Sequence, residues 1–106
     1  MAKKVLGQSN PSATTATTLY TVPSAKAAVI STLVVCNQSA TAATYRVAVR
    51  PAGASLAAQH YIAYDVAVAG NDSTALTLGI TLATTDVVTV YASSATLSFS
   101  AFGDEA

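Results

Sequence analysis

The apolar residues of this chain recur at every second position, and that period belongs to a half-buried strand, not to a helix. Tyr45, Val47 and Val49 alternate with Arg46, Ala48 and Arg50. His60, Ile62, Tyr64 and Val66 fall on one side of the next segment, opposite Tyr61, Ala63 and Asp65. Leu76, Leu78, Ile80 and Leu82 alternate with Thr77, Gly79 and Thr81, and Leu97, Phe99 and Ala101 with Ser98, Ser100 and Phe102. From Val29 to Val35 the run is almost continuously apolar, as in a central strand covered on both faces. β-branched residues are frequent throughout, which favours the same conformation.

Turn residues separate these segments. Asn10-Pro11-Ser12, Val22-Pro23-Ser24, Asn37-Gln38-Ser39 and Pro51-Ala52-Gly53 each end a strand, and Ala69-Gly70-Asn71-Asp72 is the strongest hairpin signal. Thr84-Thr85-Asp86 and Ser93-Ser94 complete the series. The stretch from Ala52 to Gln59 reads as a loop with at most one helical turn. About eight short strands in one domain predict an all-β fold, a single β-sandwich of immunoglobulin-like or jelly-roll type. The predicted core is Leu33, Val35, Tyr45, Val47, Ile62, Leu76, Leu78, Ile80, Val88, Val90, Leu97 and Phe99, with Cys36 buried beside it. The Ala-Thr-Ser composition from Ser12 to Thr18 predicts a flexible connector. The expected division is therefore an N-terminal arm and connector over 1–18 and a sandwich over 19–106, with Lys3 to Gln8 free to add a strand to a neighbouring sheet.

Composition bears on function. Of 106 residues 52% are hydrophobic and 9% charged, with five basic and five acidic residues and no net charge. Soluble domains average about 25% charged residues, so little here repels a second copy, and self-association is the expectation. All the basic residues (Lys3, Lys4, Lys26, Arg46, Arg50) lie in the first half and all the acids (Asp65, Asp72, Asp86, Asp104, Glu105) in the second. Copies that meet basic face to acidic face would exploit that division. The candidate interface residues are Lys3, Lys4, Val5 and Leu6 in the arm, and Arg46 and Arg50, which share a strand face. No basic stripe suits nucleic acid, and neither a secretory leader nor a membrane-length apolar run is present, so neither partner is expected.

The inventory for chemistry is short. His60 is the single imidazole, and Asp65, five residues on, falls on the opposite face of a strand. No Gly-x-Ser-x-Gly elbow presents a nucleophile. One His and one Cys cannot supply a zinc site, and Asn71-Asp72 is a turn, not a calcium loop. The chain is expected to be no enzyme and to hold no cofactor or metal. Five tyrosines (Tyr20, Tyr45, Tyr61, Tyr64, Tyr91) could stack on sugar rings, which keeps a carbohydrate-binding module as an alternative.

Several motifs point to one setting. Lys4-Val5-Leu6-Gly7-Gln8-Ser9, Leu19-Tyr20-Thr21-Val22-Pro23, Val34-Val35-Cys36-Asn37 and Tyr45-Arg46-Val47-Ala48-Val49-Arg50-Pro51 open the series. It continues through His60-Tyr61-Ile62-Ala63-Tyr64-Asp65, Leu76-Thr77-Leu78-Gly79-Ile80, Asp86-Val87-Val88-Thr89-Val90-Tyr91 and Phe99-Ser100-Ala101-Phe102-Gly103. Across nearly its full length the chain resembles a group of small structural proteins of tailed-phage virions. The resemblance implies a multicopy, non-catalytic virion component, assembled in the host cytoplasm. Its expected role is capsid decoration or cement, with the major capsid protein or other virion proteins as partners. A neck, baseplate or tail-fibre-associated module is the second placement.

Overall fold

The computed structural model describes residues 2–106. Nine strands follow in order: β1 (Ala2–Ser9), β2 (Thr17–Thr21), β3 (Ala28–Asn37), β4 (Ala43–Arg50), β5 (Tyr61–Val68), β6 (Ser73–Leu76), β7 (Ile80–Leu82), β8 (Val87–Ala92) and β9 (Leu97–Glu105). Single 3-10 turns, Pro51–Gly53 and Ala58–His60, interrupt the β4–β5 connection, and no α-helix occurs among the described residues.

The strands form two antiparallel sheets packed as a β-sandwich, as the two-residue period predicts. One sheet runs β1-β9-β3-β6, with β7 also on β3; the other runs β2-β8-β4-β5. β6 pairs with Leu33–Cys36 and β7 with Ala28–Ile30, so both occupy one strand position broken at 77–79. Eight positions result. The first strand pairs with the last, β2 with β8, β3 with β6 and β7, and β4 with β5. That nested pairing is the order of a jelly roll.

The two inner faces supply the core. β3 contributes Ile30, Leu33 and Val35; β4 contributes Tyr45 and Val47; β8 contributes Val88 and Val90; β9 contributes Leu97, Phe99 and Ala101. Each buried aliphatic side chain stabilises the fold by roughly 1.5–3 kcal/mol. Tyr45 and Phe99 meet edge to face across the sheets, 6.2 Å between centroids at 74°. Asn37, also buried, closes the end of β3: its Nδ2 donates to the Thr41, Val68 and Ala69 carbonyls, and its Oδ1 accepts from Ser39 N–H and the Thr96 hydroxyl.

Five expectations are corrected. Ile62 is exposed because β5 is bulged twice against β4. Asp65, at φ 51°, is the extra residue of one bulge, and it reverses which residues face inward. Leu78 is exposed because Gly79, at φ 63°, breaks the strand expected through it. Cys36 is half-buried on the outer face of β3, since Val35 takes the inward position. Finally, the segment expected as a free arm is an edge strand of its own sheet, with Ala2–Val5 in register with Phe102–Glu105. The connector is tied down as well: Thr14 N–H bonds Ala92 O and Thr17 and Thr18 belong to β2, while just before it Pro11 is buried and Asn10 Nδ2 donates to the Ala95 and Leu97 carbonyls (2.9 and 2.7 Å). Small polar composition marks a loop, but here its donors find the carbonyls at a strand end.

Candidate interaction surface

Three of the six interface candidates come together at one end of the β1–β9 seam. Across that seam Lys3 faces Asp104, Lys4 faces Gly103, and Val5 faces Phe102. Because Phe99 and Ala101 point inward, alternation turns Phe102 outward beside Val5. The two are 38% and 49% exposed, an adjacent apolar pair on a surface where Leu56, Ile62, Tyr64, Val66 and Leu78 are exposed elsewhere. With Ser31 from β3, these residues line an open groove of about 480 Å³. Ser31 Oγ donates to Phe102 O at 3.1 Å, which fixes the strand end that carries the aromatic ring. One oxygen of Asp104, Oδ1, is buried without a hydrogen-bond partner.

Lys4 has a different task from Lys3. Its Nζ lies 3.0 Å from Glu105 Oε1, and the Tyr20 hydroxyl donates to Glu105 Oε2 at 2.5 Å. The Tyr20 hydrogen bond, then Lys4, holds the Glu105 carboxyl below the usual carboxylate range. Burial, and after it Glu105, pushes the Tyr20 phenol well above its ordinary value. Glu105 is thus a charged latch joining β1 and β9 to β2 of the opposite sheet. Leu6 turns inward and packs against the core, so it leaves the surface set.

Arg46 and Arg50, on the other sheet, are committed within the chain instead of standing free for a partner. The bulge at Asp65 brings its carboxylate opposite Arg46, with Nε–Oδ1 at 2.7 Å. The guanidinium also lies over the rings of Tyr64 and Tyr91, 4.2 and 4.3 Å from their centroids. The Asp65 hydrogen bond raises the Arg46 pKa above its already high value, so the charge is permanent. Arg50 donates to Thr89 Oγ1 and to the Gly53 and Ala54 carbonyls, bracing the β4–β5 connection.

Beside this cluster lies a second groove of about 600 Å³, lined by Leu56, Ala57, Ala58, Tyr61 and Tyr64. Tyr61 and Tyr64 meet edge to face, 5.0 Å apart. His60 sits at its approach with Nδ1 accepting the Ala57 N–H at 3.1 Å, which places the neutral imidazole proton on Nε2. Among the described residues no three of His, Cys, Asp and Glu converge as metal ligands would.

Sequence reasoning missed Phe102, Asp104 and Ser31. A signal for Phe102 was present: it is an aromatic residue in the outward phase of a strand, following Ser98 and Ser100 on that face. Asp104 and Ser31 become visible only through the pairing of β1, β9 and β3. Fold and surface together define an antiparallel β-sandwich with two shallow, partly apolar grooves on opposite sheets. The chain matches no family model, no curated protein and no solved structure.

Proposed function

We propose that this chain is a non-catalytic structural protein of a phage virion, a multicopy decoration or cement protein that binds and stabilises the head. The observation that carries the reading is the β1–β9 groove, where Val5 and Phe102 stand exposed on a chain with only 9% charged residues. Such a surface is suited to burial against another protein. The strand-and-turn resemblance to small virion proteins supports the setting. The jelly-roll order adds support by analogy alone, since viral capsid and lectin domains both use it. The partners under this reading are the major capsid protein or other virion proteins, and further copies of the chain.

Immunogold labelling of purified particles tests the reading. Label spread over the head is the expected result; label at the neck or tail moves the protein to the second placement, and unlabelled particles overturn a virion role. The Tyr61–Tyr64 groove favours one further reading, attachment to a host glycan through a sugar ring laid on an aromatic face. That reading requires saturable binding on a glycan array that Tyr61→Ala abolishes.

A further inference from the structure

The β1–β9 groove carries both halves of an ion pair and leaves them unjoined. Among the described residues the ion pairs are Lys4–Glu105 and Arg46–Asp65. Lys3 is exposed and pairs with no acid, although it stands opposite Asp104 in the strand register. Asp104 in turn is half-buried and joins no ion pair. Between this pair and the rest of the sheet lie Val5 and Phe102, also opposite one another. The groove is therefore self-complementary about a line drawn along the seam: one flank is Lys3 and Val5, the other Asp104 and Phe102.

We infer that the β1–β9 seam is the contact between two copies of this chain, packed face to face about a two-fold axis along the seam. Rotation about that line lays Lys3 of each copy over Asp104 of the other, and Val5 over Phe102. Both ion pairs form at once, as an isologous contact requires. Strand addition at the β1 edge is the competing arrangement. Lysines on an edge strand, here Lys3 and Lys4, work against such pairing. The facing arrangement has no like-charge clash. The inference deepens the assembly reading and rests on it.

Size sets the strength. Two strands at about 4.8 Å spacing and about nine residues at 3.3 Å each give roughly 300 Å² of facing area per copy. That is below the ~800 Å² per partner of a stable complex, so the contact is weak in isolation and gains strength when many copies are held together.

Sedimentation equilibrium of the full chain, carried to about 1 mM at low salt, tests the contact. The expected result is a monomer–dimer equilibrium that weakens as salt is added. Lys3→Glu should raise the dissociation constant at least about tenfold, because symmetry introduces the like-charge contact twice. Adding Asp104→Lys to it should restore the constant to within about threefold, since both pairs then form with signs exchanged. Circular dichroism checks the fold of each variant. If the double variant does not fold, Phe102→Ala must weaken the dimer as Lys3→Glu does, while Leu78→Ser, away from the seam, must not. A chain still monomeric at the highest concentration, a stoichiometry other than two, or a dimer indifferent to Lys3→Glu overturns the inference. A monomer that still labels phage heads removes this contact and leaves the assembly reading standing. A dimer that labels no particle does the reverse.

Discussion

Replacing Tyr45 with Phe removes one oxygen from the centre of the sandwich and should make the protein more stable. The Tyr45 side chain is fully buried, its hydroxyl has no hydrogen-bond partner, and burial alone pushes its pKa up. A buried polar group left unsatisfied costs about 1–3 kcal/mol. Removing the hydroxyl recovers that penalty and leaves a void of about 15 Å³, the size of one probe sphere. At roughly 24 cal/mol per Å³ such a void costs about 0.4 kcal/mol. The edge-to-face contact with Phe99 is a property of the ring and survives. The net gain is about 1 kcal/mol, which corresponds to a rise in Tm of about 4 °C for a domain of this size. Urea unfolding followed by circular dichroism, with an unchanged m value, measures it directly. A loss of about 1 kcal/mol or more would refute the reasoning, because the hydroxyl must then have a partner in the folded protein.

Further expectations concern the latch, the close approaches and the buried amide. The Glu105 pKa is lowered on folding, so the stability it adds is present above its unfolded value of about 4.3 and disappears as pH falls through the folded value. Hydrogen exchange should therefore show β1 amides losing protection in acid, and Glu105→Gln should flatten that dependence. Gly103→Ala should unfold the protein or destabilise it by more than about 4 kcal/mol, since the new Cβ would run into the Val29 carbonyl in the middle of the sheet. Asn37→Ala should cost about 2–3 kcal/mol in a thermal melt, because it removes the donor to three backbone carbonyls, the Val68 one buried, at a buried position.

The two-residue period made the strands, and most of the inward residues, legible. Leu33, Val35, Tyr45, Val47, Val88, Val90, Leu97 and Phe99 all lie where alternation puts them. Alternation fails at β5 because a bulge shifts the phase, and nothing in Tyr64-Asp65 announces that Asp65 adopts positive φ. Strand order was not legible either, since period and turns are local while a jelly roll is defined by distant pairs, such as Ala2 with Glu105 and Thr17 with Val90. That gap also explains the charges. The division of basic and acidic residues between the halves reads as complementarity between copies. A nested roll, however, pairs the first half with the second, so Lys4 meets Glu105 and Arg46 meets Asp65 inside one chain. That Lys3 and Asp104, neither of them in an ion pair, stand opposite one another shows only once the register of β1 on β9 is known.

That register also governs how the molecule comes to be folded. β9 lies between β1 and β3, at the centre of its sheet, yet the other eight strands precede it in the sequence. Until it is made, β1 has no neighbour to bond and the inner faces of β3 and β4 lack Leu97, Phe99 and Ala101. Contacts of such sequence separation place the chain among slow folders, whose loops must close before any pairing compensates. The β1-β9-β3 part of the sheet therefore cannot close before β9 is present. A product truncated before Leu97 would lack the strand that joins the sheet, and would be exposed to proteases where the 106-residue chain is not.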